Sequence, residues 1–184
     1  LNVRHLIGDE PFIYAFADDI TVGSPNVFQQ LISHYEKYRG IILPSIQVTQ
    51  DVDYERYGIL GGQHVRRDIM RVDKIVEKPG KETAPSDFAA VGGYLLTPQV
   101  FPYIEQGLKN LEEGKEFYLT DAVLEPMIED GHYVYGALIK GKRYDTGDKL
   151  EYLKTVVDFA LAHDELGGEF EAFLKSRIQD DSTN

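Results

Sequence analysis

Two aspartates stand just beyond runs of apolar residues. Asp18 follows Pro11-Phe12-Ile13-Tyr14-Ala15-Phe16-Ala17, and Asp145 lies in Lys142-Arg143-Tyr144-Asp145-Thr146-Gly147-Asp148, after the apolar stretch from His132 to Ile139. A carboxylate at the carboxyl end of a strand faces the region where open α/β sheets bind ligands. Mg2+ suits such a place, because it takes one or two carboxylates and fills its other positions with water and phosphate. Either aspartate can equally serve as a turn or helix cap, and the two make a metal site only if the fold brings them together. Glu77-Lys78-Pro79 ends another apolar stretch. A glutamate there can accept two sugar hydroxyls, and a lysine can offer a mobile point charge to a phosphate. Neighbours along a strand point to opposite faces, so these charges need not neutralise each other. The same tripeptide also reads as an exposed charged turn. Gly58, and Gly92-Gly93 after Val91, let a ligand approach the backbone closely or else mark bulges.

The elements that must position these residues alternate. Pro11 to Ala17 is nearly continuous in apolar residues and predicts a strand buried on both faces, as in a parallel sheet. Ser24-Pro25 predicts an N-cap and first helical residue, with Phe28, Leu31, Tyr35 and Tyr38 on one face and Gly40 at the close. Ile41 to Val48 predicts the next strand, and strand, helix, strand implies an α/β fold. Further strands are expected at Tyr57–Gly62 with a turn, at Ile69–Glu77, at Phe88–Leu96 and at His132–Ile139. Helices are expected after Thr97-Pro98, with Phe101, Ile104 and Leu108 inward, and from a Thr120-Asp121 cap, with Val123, Met127 and Ile128 inward. Asp148 and Glu151 predict a capping box ahead of a stripe of Leu150, Leu153, Val157, Ala160 and Leu161. A second helical stripe follows a break at Gly167-Gly168, and Gln179 to Asn184 is expected to fray.

Composition removes several classes of function. With 184 residues, 42% hydrophobic and 27% charged, the chain is large enough for one folded domain. The formal charge of -12 argues against a basic nucleic-acid surface. The absence of cysteine excludes disulfides, thiolate nucleophiles and cysteine-based metal sites, and fits a cytoplasmic location. No apolar run approaches the ~20 residues of a membrane-spanning helix, so no membrane partner is expected. The five histidines lack zinc-ligand spacing, and no serine sits in a nucleophile elbow. The chain opens on Leu1 and runs straight into a strand-like stretch, which reads as a cut inside a longer protein.

Taken in order, these segments carry a resemblance. Gly8-Asp9-Glu10-Pro11-Phe12 leads to Ala17-Asp18-Asp19, then come Tyr57-Gly58, Val76-Glu77-Lys78-Pro79, Ala90-Val91-Gly92-Gly93-Tyr94, Glu116-Phe117-Tyr118-Leu119-Thr120-Asp121 and Gly141 to Leu150. The chain resembles, over nearly its whole length, the C-terminal two-thirds of the bacterial UTP–glucose-1-phosphate uridylyltransferases (UDP-glucose pyrophosphorylases), within the sugar nucleotidyltransferase superfamily. The resemblance implies a Rossmann-like α/β fold with a mixed central sheet flanked by helices, its N-terminal nucleotide-binding strands missing and a helical tail. Residues 1–148 would be the central, sugar-binding part, and residues 149–184 the C-terminal helices.

That resemblance also implies a reaction. Glucose 1-phosphate would attack the α-phosphorus of UTP, giving UDP-glucose and pyrophosphate, with Mg2+ as cofactor. Asp18 and Asp145 would hold the metal, Glu77 and the Gly58 amide the sugar hydroxyls, and Lys78 the sugar phosphate. The backbone around Val91 and Gly92 would line the sugar pocket. Asp18, Lys78 and Asp145 are thus the expected catalytic residues, and the complete protein is expected to be a homo-oligomer. The family's glycine-rich nucleotide loop and base-reading segment are missing, so these residues alone are expected to be inactive. Ala17 replaces a frequent proline or glycine, and Gly93 stands where an arginine is frequent, a change expected to alter a surface or oligomer contact. A sister enzyme for dTDP- or ADP-sugars, or a catalytically dead subunit of the same fold, are the alternatives.

Overall fold

The computed structural model describes residues 1–181 and shows a mixed α/β chain. It divides into two compact units: residues 1–17 with 21–142, and residues 18–20 with the chain from Arg143 onward.

The first unit holds a seven-stranded mixed sheet. In chain order it contains α1 (Arg4–Ile7), β1 (Phe12–Tyr14), α2 (Val27–Tyr38), β3 (Ile41–Gln47), β4 (Gly58–Arg66), β5 (Ile69–Glu77), β6 (Phe88–Ala90), β7 (Tyr94–Leu96), α3 (Val100–Asn110), α4 (Glu125–Glu129) and β8 (Val134–Leu138). The strand order is β1-β7-β3-β6-β4-β5-β8, and β8 also pairs with β3, in parallel. Two-residue alternation along β3 sorts the core onto both faces. Ile41 and Leu43 meet Val100 and Phe101 of α3, Val123, Leu124 and Met127. Ile42, between them, joins Leu31 of α2 with Ile69, Leu95 and Ala137. Each such fully buried side chain contributes about 1.5–3 kcal/mol.

Several expectations change in detail. The stretch from Pro11 to Ala17 yields only the three residues of β1, half-buried and antiparallel to β7. It ends the strand order and so has one neighbour rather than two. The cap of α2 is Asn26, not Ser24. Asn26 Oδ1 accepts from Gln29 N at 2.9 Å, and Gln29 Oε1 accepts from Asn26 N at 3.0 Å, a capping box. Arg39, left-handed at φ 54°, closes the helix ahead of Gly40. The residues from Tyr57 to Gly62 do not turn; β4 runs on to Arg66 and forms a hairpin with β5, with a register shift between Gly61 and Gly62. The stretch from Phe88 to Leu96 breaks into β6 and β7 at Val91–Gly93, where Gly92 takes φ 61°. Thr120 does not cap a helix; it begins a π-helical turn over Thr120–Leu124 that runs into α4.

One buried polar side chain ties two distant connections in this unit. The Gln30 amide donates to Pro25 O at 2.9 Å and to Lys140 O at 2.8 Å, and its oxygen accepts from Lys140 N at 2.8 Å. Both connections then lead to the short strands β2 (Asp19–Val22) and β9 (Lys142–Asp145), which pair as a two-stranded sheet.

The second unit takes Asp18–Ile20, Arg143–Asp145, α5 (Lys149–Leu161) and α6 (Gly167–Asp181). Asp148 caps α5 as expected, accepting from Leu150 N at 2.9 Å and Glu151 N at 3.0 Å. Leu150 and Leu153 of the expected apolar stripe are 59% and 60% exposed. Gly167-Gly168 opens α6 rather than breaking a helix. The fraying expected from Gln179 falls on α6 as far as Asp181; Ser182, Thr183 and Asn184 lie outside the described residues.

Candidate active site

The second unit brings the two sequence-predicted aspartates together. Asp145 ends β9, while Asp18 stands directly ahead of β2 rather than at the end of a buried strand. Thr146 fastens the two segments: its backbone N–H and its hydroxyl both donate to the Asp18 carbonyl, at 2.7 Å and 2.9 Å. Gly147 lies against both carboxylates. A Cβ placed there would fall 2.9 Å from Asp18 Oδ2 and 3.3 Å from Asp145 Oδ1, so the two oxygens are at most about 6 Å apart.

Arg143 organises the acidic side chains around it. It donates from Nε and Nη2 to Asp19 Oδ2, at 2.8 Å and 2.5 Å, and Nη2 lies 3.5 Å from Asp145 Oδ2. The Asp19 side chain is only 8% exposed, so its charge is committed to this forked pairing. Asp18 Oδ2 and Asp145 Oδ1 are the carboxylate oxygens nearest Gly147. The donor set fits Mg2+, which needs few protein oxygens and prefers to keep positions for phosphate and water. No group of three or more His, Asp or Glu converges as a metal cage among the described residues.

The first unit brings the sugar-holding candidates together by strand register. Gly58, first in β4, pairs with Glu77, last in β5, and on its other side with Ala90 of β6. Val91 and Gly92 follow Ala90 directly, so all four candidates lie at one end of three adjacent strands. A Cβ on Gly58 would come within 3.0 Å of Glu77 Oε2, so the glycine makes room for that carboxylate. Val91 N donates to Pro44 O at 2.9 Å, which fixes the turn in place.

Lys78 departs from the strand rule. Its φ of 46° is left-handed, a conformation costly for a residue with a Cβ. The bend brings Nζ to 3.9 Å from Glu77 Oε1, so the two charges share one face instead of pointing apart. The ammonium also lies over the Tyr118 ring, 5.8 Å from its centroid. Neither the contribution of Tyr118 nor the roles of Arg143 and Gly147 follow from sequence spacing. Glu116 to Asp121 stands out as a motif, but its spacing does not say that it faces Lys78.

Burial raises the Glu77 pKa, with Asp121 and Glu116 adding to the rise and Lys78 and the Thr120 hydroxyl opposing it. A carboxyl group with a raised folded-state pKa favours the folded state in its protonated form. Its stabilising effect is therefore present below the ordinary carboxylate pKa and is lost as pH climbs through the raised value. Glu77→Gln is expected to raise the melting temperature at neutral pH and leave it nearly unchanged in acid; thermal melts across that range check this. A variant curve parallel to the parent curve at every pH would contradict it.

Comparison with known proteins points one way. Residues 1–160 match the model of the nucleotidyl transferase family. A Staphylococcus saprophyticus protein named UTP–glucose-1-phosphate uridylyltransferase 1 is 36% identical over 175 residues, 95% of this chain and 59% of the relative. A solved UDP-glucose pyrophosphorylase complexed with UDP-glucose matches with a TM-score of 0.76 and 30% identity, over 88% of this chain and 60% of its own. A UTP-bound UGPase from Acinetobacter baumannii matches with a TM-score of 0.77 and 28% identity, over 94% of this chain and 58% of its own. The chain thus spans about three fifths of the length of these relatives.

Proposed function

The chain belongs to the nucleotidyl transferase family, and on that premise we propose that the complete protein transfers a uridylyl group from UTP to glucose 1-phosphate. The phosphate oxygen of the sugar forms a bond to the α-phosphorus of UTP. The bond from that phosphorus to the bridging oxygen breaks, pyrophosphate leaves with the electron pair, and UDP-glucose remains. A sugar phosphate is already largely ionised near neutrality, its second pKa being about 6. The reaction therefore needs alignment and charge neutralisation more than a strong base.

The chain's own residues divide this work. Glu77, beside Gly58, accepts sugar hydroxyls, and the turn at Val91–Gly92 walls the hexose. Lys78 places a positive charge on the sugar phosphate. Asp18 and Asp145 would hold Mg2+, which when bound draws charge from phosphate oxygens. Arg143 keeps Asp19 occupied and lies near Asp145 Oδ2, steadying the acidic pair. The observation that carries the reading is the convergence of Asp18 and Asp145 on Gly147.

The test is pyrophosphate release by the complete protein, supplied with glucose 1-phosphate, Mg2+ and each nucleoside triphosphate in turn. Release with UTP well above the others is expected, and no release with any of them rejects the reading. For this chain by itself, Lys78→Ala is expected to weaken glucose 1-phosphate binding by about ten- to a hundredfold, since a hydrogen bond to a charged group contributes about 1.5–3 kcal/mol. Equal affinity of the two forms in calorimetry would remove Lys78 from the phosphate.

A further inference from the structure

Glu116 to Asp121 holds the residue that faces the Lys78 ammonium from outside its own strand. The Tyr118 ring lies under Nζ, with the centroid 5.8 Å away, inside the range of a cation–π attraction. The ring is itself tethered. Tyr118 OH donates to Glu116 Oε2 at 2.7 Å. Its carbonyl accepts from Ala122 N at 3.0 Å, anchoring the segment to the π-helical turn. The neighbouring Phe117 packs into the core, where a Cβ on Gly107 of α3 would fall 2.9 Å from its ring. The segment is thus fixed on both sides of Tyr118, while Tyr118 remains 37% exposed to solvent.

We propose that Tyr118 is a positioning residue that aims the Lys78 ammonium at the phosphate of a phosphorylated sugar, with Glu116 holding the ring in place. A lysine side chain carries about 2 kcal/mol of rotamer entropy, and ordering it in advance lowers the cost of engaging a ligand. Glu77 by itself would draw the ammonium down onto the sugar-hydroxyl carboxylate, 3.9 Å away. An aromatic face offers a second attraction without a formal charge of its own, so it keeps the cation from collapsing onto Glu77. The left-handed backbone of Lys78 supplies the bend that makes this approach possible. The inference rests on the reading of Lys78 as the phosphate-binding cation.

The test compares glucose 1-phosphate with glucose, titrated into this chain and its variants by calorimetry or ligand-observed NMR. Tyr118→Leu removes the ring and is expected to weaken glucose 1-phosphate binding about three- to fivefold, the change expected from an exposed cation–π contact. Glucose affinity should not change, because no phosphate meets the lysine. Tyr118→Phe keeps the ring but releases it from Glu116, so its affinity should fall between that of Tyr118→Leu and that of the unaltered chain. In a Lys78→Ala background, Tyr118→Leu should have no further effect. Equal loss for glucose and glucose 1-phosphate would mark Tyr118 as merely structural and overturn the proposal, as would no loss at all. If the unaltered chain binds no glucose 1-phosphate, the reading of Lys78 falls and this inference falls with it. If it binds but Lys78→Ala does not weaken binding, the reading of Lys78 is at fault.

Discussion

Replacing Asp18 or Asp145 with alanine should lower turnover of the complete protein by about a hundredfold or more. Loss of one preorganised group that stabilises transition-state charge typically costs about 10²–10³ in rate. Each aspartate would supply one of only two protein carboxylates to the cation, and one carboxylate without the other leaves a weak site. The same substitutions in this chain should abolish saturable Mn2+ binding followed by paramagnetic relaxation of water. Gly147→Ala probes space rather than charge. Its added methyl would meet Asp18 Oδ2 at 2.9 Å, and Mn2+ binding should weaken with both carboxylates still present. Near-normal turnover in both aspartate variants would remove the metal role from the pair.

Gly93→Arg, which installs the residue frequent in the resembling family, is expected to destabilise this chain by about 3 kcal/mol or more. Overpacking a tight site typically costs about 1–3 kcal/mol and occasionally more. Here the obstacle is backbone, which cannot rotate aside. A Cβ on Gly93 would fall 2.5 Å from Ala15 Cα and closer still to the Tyr14 carbonyl oxygen. Gly93 therefore lies against the chain leaving β1, and its change of type concerns how β1 seats beside β7. The midpoint of urea unfolding measures the loss, and an unchanged midpoint would show that β1 adjusts freely.

The sheet was legible where the apolar pattern is strong. Ile69 to Glu77 forms β5 with those limits, because it is rich in β-branched residues and is followed by Pro79-Gly80. Asp18 was legible as a candidate, but its setting was not. Pro11 to Ala17 reads as an interior strand from composition, while burial depends on neighbours that composition cannot count. β2 and β9 escaped notice because each has only four residues; in β2 the polar Asp19 and Thr21 are more buried than Ile20 and Val22, the reverse of what an apolar pattern signals. The pairing of Lys78 with Glu77 escaped for a different reason. Strand logic separates adjacent side chains, and a left-handed lysine breaks that logic with no glycine to announce it. The exposed stripe of α5 shows the converse: periodicity fixed the helix but not what the stripe meets.

Gln30 has a consequence for how this sequence can vary. One amide serves both Pro25 and Lys140, residues that lie 115 positions apart along the chain. An inserted residue on either side would pull one carbonyl away from a group that must satisfy both. Drift in the length of the two connections should therefore be linked: descendants that lengthen one would need to recode the other, or surrender the glutamine. A survey of length variation at these two places, sorted by the residue at position 30, would read that history directly.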